Sequence, residues 1–215
     1  MYEFWAIFSL ALLFIAVYFV GSNQNRKLNV KYAKAIKEYM TPHSEFVGFR
    51  AYGRNGFRSL CRLKREEPFS RIEVAVALVD RENLMHYLLS PITKDCDRLV
   101  CWGFLKNKIP SNTEILSRVD EKLRKRITSE GKFKEIIVKE SGLSELLTFM
   151  TVDVNFAERL LSNSNVRRNL FETRNFVKRL SLSRQESWVY LIAELREESL
   201  LPLLNLILSC GEALS

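Results

Sequence analysis

Residues 4–20 read FWAIFSLALLFIAVYFV, an apolar run with one hydroxyl, Ser9, one phenol, Tyr18, and no charge. At about 1.5 Å per helical residue it reaches most of the way across a hydrocarbon core of roughly 30 Å, and Gly21 and Ser22 lengthen it. A secretory signal peptide would start with cations and end at a small-residue cleavage site, but the head here is Met1-Tyr2-Glu3. A buried core helix would carry a polar face, and this stretch has none. The sequence therefore predicts a transmembrane helix over residues 4–21 behind a short external tail at 1–3. Its anchoring side chains are Phe4, Trp5, Leu10, Leu12, Leu13, Phe14 and Tyr18, with Trp5 and Tyr18 near the two interfaces.

Charge sets the expected orientation. All 33 Lys and Arg follow Gly21, with Arg26, Lys27, Lys31, Lys34 and Lys37 directly after the span, and of the 25 acids only Glu3 precedes it. Positive flanks stay cytoplasmic, so the N-terminus is expected outside and everything after residue 22 in the cytoplasm. The part beyond Gly21, with 33 cations against 24 acids, carries +9 and forms a cytoplasmic body whose natural neighbours are anionic lipid, ribosomal RNA or an acidic protein.

Outward from the span, residues 22–42 form a basic juxtamembrane segment. Asn23–Asn25 reads as a polar break and residues 26–40 as a helix, with Leu28, Tyr32, Ala35, Ile36 and Tyr39 on one stripe and Thr41-Pro42 ending it. Residues 43–215 carry no repeat, low-complexity tract or linker and read as one α+β domain with a mixed or antiparallel sheet and packed helices. A hairpin is expected over residues 44–52 and 57–64, its turn made by Asn55-Gly56. In its second strand Phe57, Ser59, Cys61 and Leu63 share one face and Arg58, Leu60, Arg62 and Lys64 the other. Residues 72–79, apolar on nearly both faces, predict a central strand with helices over it.

A helix over 81–89, with Leu84, Tyr87 and Leu88 inward, should stop at Ser90-Pro91, and residues 98–105 form a strand. Residues 112–128 read as a helix capped by Ser111 or Asn112, with Ile115, Leu116, Val119, Leu123 and Ile127 as its stripe. Lys122, Arg124, Lys125 and Arg126 sit in its last turns before Gly131, where cations suit the helix dipole. A strand over 133–139, a helix and turn over 143–152, helices over 155–162 and 166–171, and a hairpin over 177–182 and 188–195 follow. Arg159, Arg167, Arg168, Arg174, Lys178 and Arg179 make a second basic region. The closing ESLLPLLNLILSC reads as a helix capped by Ser199 and ending before Gly211. It is too short to span a bilayer and is expected to be buried in the domain.

Catalytic patterns are missing. Glycines 48, 53 and 56 lie in a hairpin rather than at a strand-to-helix turn, and no nucleophile elbow is present. Glu66-Glu67 and Glu197-Glu198 fall in loop and helix-start settings that solvation and capping explain. Cys61, Cys96, Cys101 and Cys210 form no CxxC pair, the only histidines are His43 and His86, and no metal-ligand spacing results. The reading is a non-enzymatic protein without metal, cofactor or small-molecule substrate.

The order of features resembles a known family. A single N-terminal span and a basic helix lead to Tyr52-Gly53-Arg54, Cys61-Arg62-Leu63 and Ile72-Glu73-Val74-Ala75-Val76, and the chain closes on Leu200-Leu201-Pro202-Leu203-Leu204-Asn205-Leu206-Ile207. This is similar to the calumin family, the coiled-coil-containing subunit of the PAT (protein associated with translocon) complex, over most of residues 22–210. The resemblance implies an intramembrane chaperone for multi-span membrane proteins, working with a small Asterix-like membrane protein beside the Sec translocon and under the ribosome. Its eukaryotic members carry a long acidic segment before the span and a Lys/Glu-rich helical tail after the apolar helix. This sequence has Met1–Glu3 and Gly211–Ser215 there, so tail contacts do not carry over. The compact form suits an archaeal relative in the cell membrane, the alternative being the endoplasmic reticulum. On this reading Arg58, Arg62, Lys64, Lys122, Arg124, Lys125 and Arg126 face ribosomal RNA. The competing expectation is an anchored adaptor whose basic surface binds anionic lipid or an acidic protein.

Overall fold

A single helix, α1 (Tyr2–Met40), runs unbroken through the apolar stretch and the basic segment. The structure is a computed structural model and describes residues 2–93, 95–129, 133–138 and 141–215. Among these, α1 is the one helix long and apolar enough to cross a membrane, with a mean hydropathy of 2.3 in its most apolar part. Tyr2 and Glu3 belong to it, so the short tail is helical, while Met1 lies outside the described residues. The expected break at Asn23–Asn25 does not occur. From Gly21 onward α1 buries Gly21, Asn25, Tyr32, Ile36 and Met40 on one face, and Asn25 spends its polarity on tertiary contacts instead of a loop. It donates to Asn55 Oδ1 and the Val79 carbonyl, both at 3.0 Å, and accepts from Arg81 Nη1 at 2.9 Å. Gly21 has no room for a side chain, since a Cβ there would lie 1.9 Å from the Arg81 carbonyl oxygen.

A 3-10 turn over Thr41–His43 reverses the chain into the sheet. In order come β1 (Ser44–Ala51), β2 (Gly56–Leu63), β3 (Phe69–Ala77), α2 (Leu84–Thr93), β4 (Arg98–Leu105), β5 (Thr113–Ser117), α3 (Glu121–Ser129), β6 (Lys134–Ile136), α4 (Ser141–Ser144), β7 (Leu147–Thr151), α5 (Val154–Ser162), α6 (Ser164–Thr173), β8 (Val177–Ser183), β9 (Trp188–Glu194) and α7 (Leu200–Leu214). Among the described residues the strands form one nine-stranded sheet in the order β1-β2-β3-β4-β9-β8-β5-β7-β6, every pairing antiparallel. The fold is α+β, with α1 and α7 laid on one face of the sheet and α5 and α6 packed beside α7.

β3 is an interior strand as expected, but helices cover only its Ile72, Val74 and Val76 face. Arg71, Glu73, Ala75 and Ala77 lie on the other. The first hairpin has the predicted strands with a different turn: the positive φ falls on Gly53 (57°), whereas Gly56 begins β2 and Asn55 is held by Asn25. Helix α2 starts three residues late, where the Asn83 side chain accepts the Met85 N–H. It continues past the stop expected at Ser90-Pro91 to Thr93. Leu84 is half-buried; the Tyr87 and Leu88 side chains lie outside the described residues.

The largest correction concerns residues 112–128, which begin as strand β5 rather than helix. Ile115 and Leu116, neighbours in sequence, are both buried because β5 is covered on both faces, and such a doubly buried strand mimics helical spacing. Val119, placed on the expected stripe, is 90% exposed in the turn, and Asp120 caps α3 by accepting the Leu123 N–H. Residues 143–152 likewise divide into the end of α4 and the fully buried strand β7. The strand at 133–139 shortens to β6; Gly131 and Lys139 lie outside the described residues.

Helix α7 is buried in the domain as expected but runs past Gly211 to Leu214. Ser199 makes no side-chain cap. Its hydroxyl accepts the Arg196 N–H at 2.8 Å and lies 3.3 Å from the Glu194 carbonyl. Asn205, the one polar residue in the apolar run, accepts from the Tyr39 hydroxyl of α1, and its backbone carbonyl accepts from Asn169 of α6.

Candidate functional site

The sheet has one face left without the main helical layer, and both predicted basic groups lie on it. Arg58 and Arg62 alternate with the buried Phe57, Cys61 and Leu63, so they project away from α1 and α7; Lys64 follows at the strand end. Helix α3 rests on this same face further along: its Ile127 and Leu123 pack on Leu116 and Met150, which alternate with the core residues Ile115 and Phe149. Lys122, Lys125 and Arg126 are exposed there and Arg124 is half-buried. They occupy the body of a nine-residue helix, not the last turns of a long one. Five strand spacings of about 4.8 Å separate β2 from β5, so the two groups flank a strip about 24 Å wide.

Aromatic rings fill the strip. Trp102 and Phe104 on β4 pair in register with Tyr190 and Trp188 on β9. Ring centroids lie 5.5 Å apart for Trp102–Tyr190, 6.2 Å for Phe104–Trp188 and 5.7 Å for Trp188–Tyr190, the last pair stacked. Guanidinium groups sit over three of the rings: Arg58 on Trp102 at 5.1 Å, Arg71 on Phe104 at 4.0 Å and Arg179 on Tyr190 at 5.9 Å. Carboxylates hold these arginines in place. Glu73 lies 2.6 Å from Arg58 and 3.3 Å from Arg71, and Glu114 receives Arg179 through two bonds of 2.8 and 2.9 Å. Burial pushes the Tyr190 phenol above its ordinary pKa, so its hydroxyl stays protonated in the physiological range.

Sequence reasoning missed this aromatic strip. Its trace is period-two spacing, Trp102/Phe104 and Trp188/Tyr190, on strands far apart in the chain. Arg50 extends the cationic side from β1, opposite Arg58, and Arg62 lies 5.9 Å from the Phe46 ring. The second predicted basic region does not assemble: Arg179 joins the open face, whereas Arg159, Arg167 and Arg168 ride on α5 and α6 in the helical layer. Arg174 lies over Phe171 at 3.8 Å.

At the opposite end, where α1 enters the domain, Asn29 donates to the Arg54 carbonyl at 2.7 Å and the Arg54 guanidinium lies 5.2 Å from the Tyr18 ring. Phe4, Trp5, Leu10, Leu12, Leu13, Phe14 and Tyr18 are all exposed along the apolar part of α1. Beside them α2 exposes Met85, Leu89 and Ile92, spaced four and three residues apart and so on one helix face.

The thiols offer little chemistry. Cys61, Cys101 and Cys210 are buried, and burial raises all three pKa values, that of Cys210 to about 12; Cys96 is half-buried. Among the described residues no three His, Cys, Asp or Glu side chains gather as metal ligands. Neither a protein-family model nor a curated protein matches the sequence.

Proposed function

We propose that this chain is a non-enzymatic, membrane-anchored factor that assists insertion or folding of multi-span membrane proteins. It works at the Sec translocon and ribosome with a small Asterix-like membrane protein, its N-terminus outside and its domain in the cytoplasm. The observation that carries the reading is the unbroken α1, which ties an apolar span directly to a cation-bearing sheet face. Phosphate contacts by Lys and Arg give affinity without sequence preference, which suits a surface that meets ribosomal RNA. The calumin-like order of features supports the same reading.

Arg58 is committed to Glu73 and Trp102, so charge reversal there would disturb the sheet as well as the surface. The informative variant reverses the exposed Arg62, Lys64, Lys122, Lys125 and Arg126 to glutamate. Affinity purification from detergent-solubilised membranes should recover ribosomes, Sec subunits and a small multi-span partner with the parent chain. The variant should lose the ribosomes and show a shallower salt dependence, by roughly 0.7–0.9 in log–log slope per phosphate contact removed. Retention of ribosomes with an unchanged slope would exclude those side chains, and absence of all three partners from the parent would overturn the reading.

The exposed row on α2 favours lipid contact at the foot of the domain, because residue 21 of the span lies against Arg81, three residues before α2. A photoreactive probe dissolved in the bilayer is expected to label the peptide containing Met85, Leu89 and Ile92 as well as the span. Replacing the three with aspartate should cut labelling of that peptide several-fold. Label confined to residues 2–21 would place α2 in water.

A further inference from the structure

We propose that the open sheet face is a stacking platform for unpaired RNA, with bases laid on Trp102, Phe104, Trp188 and Tyr190 and phosphates drawn to the exposed Arg50 and Arg62 at its rim. The ribosome-facing reading supplies the source of the RNA; the stacking chemistry stands on the face itself. Cross-strand aromatic pairs stabilise many sheets, but here they lie on the face opposite α1 and α7 and between two basic groups. Single-stranded nucleic acid is the partner whose chemistry matches both halves, since every base has a flat π-face and every linkage a negative charge.

The details fit a short unpaired segment. Trp188 is half-buried and stacks on Tyr190, and among the described residues no guanidinium lies over its ring. The guanidinium groups of Arg58 and Arg71, 5.1 and 4.0 Å from the Trp102 and Phe104 ring centroids, are themselves surfaces on which bases stack. Arg58 Nε is buried without a hydrogen-bond partner, and Arg50 and Arg62 are exposed on the rim. Two adjacent strands carrying four rings offer room for about two or three bases, the number that other sheet platforms accommodate. A duplex, whose bases are already stacked, would gain nothing from the rings.

Tryptophan fluorescence reads this contact directly, because two of the three tryptophans, Trp102 and Trp188, lie on the face and the third, Trp5, lies in the span. The full chain carrying Trp5→Phe, in detergent, is titrated with a short oligo(U) RNA, a blunt RNA duplex and heparin. Oligo(U) should quench the emission saturably, whereas duplex and heparin bind, if at all, without quenching. Trp188→Leu should weaken oligo(U) binding about tenfold and Trp188→Phe much less. Should Trp188→Leu fail to fold, quenching in the Trp5→Phe background decides alone. Equal binding of all three polyanions without quenching would reduce the face to a phosphate-attracting surface and overturn the platform. That outcome leaves ribosome co-purification untouched, and loss of co-purification with quenching retained would sink only the ribosomal source.

Discussion

Replacing Phe69 with alanine is expected to lower the domain's melting temperature by about 10 °C. Phe69 opens β3 and is fully buried. Its ring is clamped between a strand and a helix: a Cβ on Gly103 of β4 would fall 2.6 Å from its Cε1, and one on Gly211 of α7 would fall 2.2 Å from its Cε2. Both glycines exist to let the ring approach, so truncation leaves a void that neither backbone can fill. The cost is about 3–5 kcal/mol for a phenylalanine in such a site. Phe104→Ala, on the half-buried open face, should cost well under half as much. Melting of the full chain in detergent, followed by near-ultraviolet circular dichroism, compares the two. Similar small shifts for both would show that the Phe69 clamp is not the joint between sheet and α7.

Arg81→Ala is expected to cost about 3 kcal/mol and to loosen the base of the domain where α1 enters it. Arg81 bonds Asp97 through both nitrogens at 3.0 and 2.8 Å and donates to Asn25 at 2.9 Å. The Asp97 side chain is only 8% exposed, and its remaining partner is the Val79 N–H at 2.9 Å. Without the guanidinium a carboxylate is stranded away from water and Asn25 loses its donor. The pair Arg81→Ala with Asp97→Asn should recover part of the loss, since a neutral amide costs less to bury than an unpaired charge. Thermal unfolding and limited proteolysis near Gly53 measure both effects; a double variant no more stable than the single would dismiss the stranded charge as the cause.

Much of the fold could be read from residue order, and the misses have two causes. Strands with one covered face, such as β2 and β4, announce themselves by alternation, and so does the hairpin of β8 and β9. Residues 113–117 and 147–151 are buried on both faces, which erases alternation and leaves apolar spacing that a helix also satisfies. Asn25 and Gly211 misled for another reason: a polar residue and a glycine that look like helix ends are spent on contacts to Arg81 and Phe69, which sequence does not reveal. The basic half of the candidate site was legible because alternation placed Arg58 and Arg62 outside. Its aromatic half was not, because the pairing of β4 with β9 joins segments separated in the chain by four strands and four helices among the described residues.

The continuity of α1 makes the protein a lever. About half of its 39 residues stand beyond the apolar run, an arm of roughly 30 Å held along the sheet. A tilt of about 20°, ordinary for a helix adjusting to local bilayer thickness, would carry the far edge of the domain sideways by about 10 Å. Lipid environment would thereby steer where the arginine-lined strip points, coupling the mechanics of the bilayer to the reach of the domain.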